Sequence, residues 1–368
     1  MYRNLGKRGL WSTLHRPPWF LSIATCHEPA GSGTSACGRW FKGSGPSRAG
    51  AAVLSRVLWN AIQVAVILIL SPLVGGVLNR LKEIVQSKRG PSIFQPYRDL
   101  WKLFHKDQVF SARTSWVFRV TPYAVFVTPI FVALLIPVLT TYPLFLAFMA
   151  DMVGAGFVLA LGGFFAALGA VDTANPYGAM GASRTRMVGF LAEPVFVIVF
   201  FTVSFVAGST IPYIVQKHWI ASPASFLDPS HILLIAAFFM LILAEAGRIP
   251  VDSPTGQFEL AMIEESKSLE YSGSGAALMK WGGHMKLMVL MCVFLNVLVT
   301  PWGLAAQQLT SRVLLAIPLV SVKILVLILA LVAVESSLAK LRLFRISEFL
   351  GAAFITCVAA MIARLFAP

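Results

Sequence analysis

Between Glu245 and Gly273 the chain reads EAGRIPVDSPTGQFELAMIEESKSLEYSG and holds Glu245, Asp252, Glu259, Glu264, Glu265 and Glu270, six of its sixteen acidic residues. Arg248 and Lys267 are the basic residues among them. Carboxylates in surplus, close together and partly out of water, exchange a proton between neighbouring sites at modest cost. That is the chemistry of a proton relay. Glu245 and Arg248 are three apart, so they would share a helix face and pair. Ser253 before Pro254 has the pattern of an N-cap followed by proline at the first helical position. A helix from Pro254 to about Tyr271 would put Glu259 and Glu270, about three turns apart, on one side with Ile263 and Ser266 between them. A solvated, charge-rich loop is the competing reading, and the apolar runs on either side weigh against it.

Three further ionisable residues lie in apolar surroundings: Asp151, Glu193 (just before Pro194) and Lys323. A charge in lipid costs roughly 3 kcal/mol unless it is partnered, which makes each a functional candidate. Glu193 could also be a plain pair with a neighbouring Arg or Lys, and Arg184 and Arg186 lie just ahead of it. Lys323 is roughly 15 Å from either end of its apolar run and is expected to face the bundle interior and a carboxylate. Glu335 and Glu348 sit at the ends of runs, where charged side chains reach water, and say little individually.

The elements that must position these residues are membrane helices. The 368-residue chain is 57% hydrophobic and only 12% charged, against about 25% charged in an ordinary soluble domain. Eight apolar runs are long enough to matter, at about 57–78, 119–140, 143–169, 187–210, 231–247, 285–306, 313–334 and 346–366. A helix needs about 20 apolar residues to cross a bilayer, and backbone inside lipid must satisfy its own hydrogen bonds. The expected fold is all-α, a polytopic transmembrane bundle of about eight spans with cytoplasmic amphipathic helices.

The net charge of +14 is not a nucleic-acid footprint, because the basic residues alternate between loops. Loops 79–118, 171–186, 248–284 and 335–345 hold most of them, which places these loops in the cytoplasm by the positive-inside rule. Residues 1–56 are also basic and rich in Gly, Ser and Pro. They read as a disordered extension ahead of a membrane domain over 57–368. They are expected to be non-functional, from a start site placed too far upstream, although they could mimic a targeting peptide. In the first basic loop, Tyr97, Leu100, Trp101 and Phe104 recur at helical spacing, with Arg98, Asp99, Lys102 and Lys106 on the other side. This predicts an amphipathic helix at the membrane surface, either a simple anchor or a docking site offering Asp99 and Lys102. The Gly- and Pro-rich second link predicts a turn-rich loop. The four cysteines form no CxxC, and no metal site is readable.

Five segments together, RGPSIFQPYRDLWKLF, VDTANPYGAMGASR, EAGRIPVDSPTGQFEL, LEYSG and ESSLAKLRLFRISEFL, resemble membrane subunit 1 of respiratory complex I and its relatives in group 4 membrane-bound [NiFe] hydrogenases. Those relatives include the membrane subunits of formate hydrogenlyase and hydrogenase 4. Glu245, Arg248, Pro250, Asp252, Gly256, Glu259 and Leu260 match the complex I acidic-loop pattern, whereas Thr255 and Gln257 replace two of its acids. Those replacements, the longer ELAMIEESKSLEYSG run and the short first loop are similar to the hydrogenase branch. The complex I type NADH-quinone oxidoreductase subunit is the alternative.

The resemblance implies a cofactor-free anchor in the plasma (inner) membrane that docks a hydrogenase-like large subunit and a small Fe–S subunit beside antiporter-like membrane subunits. Fe–S clusters would lie in those partners; whether a Ni–Fe centre does too stays open. It implies an acidic path over Asp151, Glu193, Glu245, Asp252, Glu259 and Glu270, with Glu265 as the hydrogenase-form acid and Arg184 and Arg248 orienting the carboxylates. After GAS, Arg184-Thr185 stands where an acid is usual in the second position. A purely structural anchor and a solitary secondary transporter are the competing functions, and no internal repeat speaks for the latter.

Overall fold

The computed structural model describes residues 46–111, 113–140, 151–221, 228–248, 251, 265–304, 310–338 and 343–366. The chain divides into two compact units, Met1–Ala51 and Ala52–Pro368. Of the expected disordered extension over 1–56, residues 46–56 are described and are helical, as the opening of the first helix, whereas residues 1–45 lie outside the described residues. The helices are α1 (Pro46–Val85), α2 (Gln95–Phe104), α3 (Trp116–Leu135), α4 (Met152–Asp172), α5 (Pro176–Ala207), α6 (Pro212–Ala221), α7 (Pro229–Glu245), α8 (Gly273–Val293), α9 (Thr310–Ser337) and α10 (Leu343–Phe366).

Seven of these elements are long and apolar enough to cross a membrane: α1 over Val57–Val85, α3, α4, α5, α8 with its continuation to Val299, α9 and α10. The chain is therefore a multi-pass membrane protein. The remaining expected span, α7, is apolar but has 17 residues, about 25 Å of helix and the lower limit for a crossing. Helix α3 packs on α4 and α8, α4 on α5, and α5 on α7 and α10. Helix α8 is the most enclosed of the seven, with 78% of its apolar window buried against 22% for α10.

Breaks in the helices are covered by side chains, as backbone at membrane depth requires. Pro137 forces Ile136 into an extended conformation and ends α3. The carbonyls freed there accept from neighbouring amides: Gln63 donates to Ala133 and Ile136, and Asn296 to Pro137 and Val138. Helix α8 runs on into a π-helical turn, Phe294–Val299. Past it, Lys323 Nζ donates to the Thr300 carbonyl at 2.7 Å and to that of Trp302. The expected carboxylate partner for Lys323 is thus replaced by backbone. These carbonyls lie just past the end of the helix, where the helix dipole also favours a cation.

Three other expectations change. Asp151 is not inside a span but caps α4, accepting from Val153 N and Gly154 N. The second link is not a loop over 171–186, because α5 starts at Pro176 and only Thr173–Asn175 turn the chain, with Ala174 at φ +55°. Asn175 caps α5 through Tyr177 N, and the glycines serve packing: a side chain at Gly178 would meet the Ala170 carbonyl, and one at Gly181 would meet Ser266. Helix α8 begins at Gly273, so the end of the expected 248–284 loop, from 273 on, is helical. The surface helix α2 is as predicted, with Leu100 buried and Asp99 and Lys102 exposed.

Candidate functional site

Glu193 sits on α5 two turns after Arg186, and the two pair at 3.4 Å with 35% and 38% of their side chains exposed. Arg186 also lies over the Phe164 ring of α4, 5.5 Å from its centroid. Glu245, the last residue of α7, pairs with Lys286 of α8 at 2.5 Å, with 17% and 26% exposed. Both carboxylates line one cavity of about 60 Å³, together with Thr185, Lys267 and Lys286. Gly156, Ala160 and Gly163 of α4 form part of its wall and leave the space open. Two carboxylates, each held by a cation and lining one small cavity with room for water, are suited to passing a proton.

A second cavity, of about 340 Å³, takes in Glu245 and Lys286 again and extends past Asn79, Asp99, Arg248, Glu265, Lys280 and His284. The predicted Glu245–Arg248 pair is not formed. Helix α7 stops at Glu245, Gly247 adopts φ +56°, and Arg248 N returns to the Leu243 carbonyl. This left-handed C-terminal turn redirects the chain. Arg248 Nη1 then donates to Asn79 Oδ1 at 3.1 Å. Burial pulls the Arg248 guanidinium below its usual range, and the Glu335 carboxylate opposes that shift.

Next along α1 lies the most enclosed ion pair among those resolved, Lys82 with Glu335 of α9 at 2.6 Å and 4% and 2% exposed. Gly75, Asn79 and Lys82 recur at helical spacing on α1. They face, in turn, the His284 ring, Arg248 and Glu335.

Glu193 and Glu245 are brought together, with Glu265 at the rim of the larger cavity. Asp151 and Lys323 are held elsewhere by the contacts given above. Asp252 and Glu259 lie outside the described residues. Of the predicted helix Pro254–Tyr271, the described part is a 3₁₀ turn at Ser266–Ser268, with Glu265 and Glu270 exposed. Glu270 accepts from Asn175 Nδ2, tying that turn to the start of α5. The cation paired with Glu193 is Arg186.

Sequence reasoning did not assign roles to Lys82, Glu335, Lys286 or His284. Lys286 carried a readable signal, a lone cation at the start of an apolar run. The Lys82–Glu335 pair joins positions 253 residues apart, and nothing local connects them. Among the described residues no group of His, Cys, Asp and Glu is placed to hold a metal ion.

The model of the NADH dehydrogenase family matches residues 58–366. The chain is 35% identical to formate hydrogenlyase subunit 4 of Escherichia coli (strain K12) over 291 residues, 78% of this chain and 92% of that protein. It is 31% identical to hydrogenase-4 component C of the same organism over 286 residues, 78% of this chain and 89% of that protein. A chain in the structure of the membrane-bound sulfane sulfur reductase, an archaeal respiratory membrane complex, shares the fold with a TM-score of 0.69 at 17% identity. That match covers 83% of this chain and 98% of the other.

Proposed function

The chain belongs to the NADH dehydrogenase family, in its complex I subunit 1-like sense, and from that premise we propose that it is the membrane subunit of a redox-driven, proton-translocating complex of the hydrogenase or formate hydrogenlyase type. In this role it anchors a soluble hydrogenase arm and relays protons between that arm and the membrane interior. The observation that carries the reading is the cavity shared by Glu193 and Glu245 inside a multi-pass bundle. The similarity to two hydrogenase-system subunits supports the branch.

The chain would lie in the plasma (inner) membrane with the α1–α3, α4–α5, α7–α8 and α9–α10 connections in the cytoplasm, as the basic residues there favour. The cytoplasmic connections, including α2 with Asp99 and Lys102, would form the docking surface. Its partners would be a hydrogenase-like large subunit, an Fe–S small subunit and antiporter-like membrane subunits. Fe–S clusters, and a Ni–Fe centre where the large subunit retains its nickel-ligating cysteines, would belong to those partners.

In the relay, a proton reaching Glu193 neutralises the carboxylate and loosens its hold on Arg186. Release of that proton towards Glu245 restores the pair, and Lys286 stands 2.5 Å from the carboxylate that receives it. Asp252, Glu259, Glu265 and Glu270 would extend the path towards the docking surface. A second reading, a purely structural anchor, is favoured by one observation: each resolved ion-paired carboxylate already has a cation.

The test is to tag the C-terminus, extract in mild detergent and identify the co-purifying chains by mass spectrometry. Recovery of the three partner types is expected. A stable, monodisperse chain with no partners would overturn the assignment.

A further inference from the structure

We propose that the Thr185 hydroxyl anchors water in the cavity between Glu193 and Glu245, and so connects the two carboxylates; the inference rests on the relay reading above. A threonine inside a helix usually donates to the carbonyl four residues back. Thr121 and Thr202 both do so in this protein, to Val117 and Ile198. Thr185 does not. Its Oγ1 is buried and has no hydrogen-bond partner among the described residues, yet the residue lines the cavity.

The wall around it is built to stay open. Thr185, Gly189 and Glu193 follow at four-residue spacing on α5 and share one face. A side-chain carbon at Gly189 would come no closer than 3.7 Å to Arg186 Nη1 and Glu193 Oε1, so the glycine leaves free space beside the carboxylate. Across the cavity stand Gly156, Ala160 and Gly163. A volume of about 60 Å³ has room for a few waters, and a buried water needs two to four polar partners. Thr185, Arg186, Glu193, Glu245, Lys267 and Lys286 all line that space.

The hydroxyl can accept from one water and donate to another. One proton leaves the Glu193 carboxyl for the adjacent water, that water passes one of its own protons forward, and one proton arrives at the Glu245 carboxylate. Thr185 and the waters end with the atoms they began with, turned to the opposite orientation. Thr185 is a positioning residue here, and no net charge rests on it.

The test uses the purified complex in proteoliposomes, with proton uptake read by a pH-sensitive dye alongside electron transfer. Thr185→Val keeps the shape and removes the hydroxyl; Thr185→Ser keeps the hydroxyl. Proton transfer is expected to fall roughly tenfold in Thr185→Val, less than the 10²-fold or more that a group itself transferring the proton contributes. Thr185→Ser should retain most of the rate. The H2O/D2O rate ratio should rise in Thr185→Val, which a merely structural defect would not produce. Should Thr185→Val fail to assemble, Thr185→Ala removes the same hydroxyl without crowding and is read the same way. A normal rate in Thr185→Val beside a lost one in Glu193→Gln overturns the water anchor and leaves the relay standing. Normal rates in both overturn the relay reading and this inference with it.

Discussion

Two sets of ion pairs lie within one bundle and differ in their access to water. Lys82–Glu335 is sealed between α1 and α9, whereas Arg186–Glu193 and Glu245–Lys286 open onto a cavity. A pair taken fully out of water holds both charges rigidly, because separating them would leave an uncompensated charge in a low-dielectric interior. A pair beside a cavity that has room for water can lose or gain a proton and re-form. The contrast separates an element that fixes α1 against α9 from one that can turn over, and burial at each pair is what distinguishes them.

Breaking the sealed pair should have the largest effect. Glu335→Ala strands Lys82 and is expected to cost about 3–5 kcal/mol, seen as a drop in thermal melting temperature in detergent. The double change Lys82→Met with Glu335→Leu should recover most of that loss, since apolar groups of similar volume replace a buried pair at little cost.

Packing should follow the same divide. A methyl at Gly75 would fall 2.4 Å from His284 Nδ1, so Gly75→Ala is expected to cost about 1–3 kcal/mol through overpacking. Gly189→Ala beside the cavity meets only ordinary contacts at 3.7 Å. There, a gain of up to about 1 kcal/mol in helix propensity should leave stability unchanged or raised. Equal losses at both glycines would erase the contrast.

Arg186→Ala should move stability least, by about 0–1 kcal/mol, because a pair this accessible is screened by solvent. Outside the spans, burial raises the Tyr271 phenol to about 12, above its ordinary value of about 10. The neutral phenol is thus favoured in the folded state. Its contribution is fully present below about pH 10 and is lost as pH rises through about 12. Absorbance titration near 295 nm should find Tyr271 ionising well after the exposed tyrosines, and Tyr271→Phe should remove that late step.

The membrane character and α2 were legible because each depends on neighbours in the chain. Composition and run length reveal lipid-facing helices, and Tyr97, Leu100, Trp101 and Phe104 reveal a helical stripe. Lys323 was misjudged because a cation inside a bundle can be satisfied by carbonyls at a helix end as well as by a carboxylate, and sequence does not show where those carbonyls lie. The start of α5 was misread because glycine serves close packing as readily as turning, as at Gly178 and Gly181. Asp151 has the local pattern of a cap, but its place beside an apolar run concealed it. Lys82 and Glu335 meet only through the tertiary fold.

The most direct test of the account is proton translocation by the purified complex carrying Glu245→Gln, reconstituted in proteoliposomes and measured against electron transfer in the same vesicles. The relay predicts an assembled complex with its full set of partners and a proton-to-electron ratio reduced by at least roughly 10²-fold. An assembled complex with an undiminished ratio would contradict it, and would leave Glu245–Lys286 as a structural pair like Lys82–Glu335.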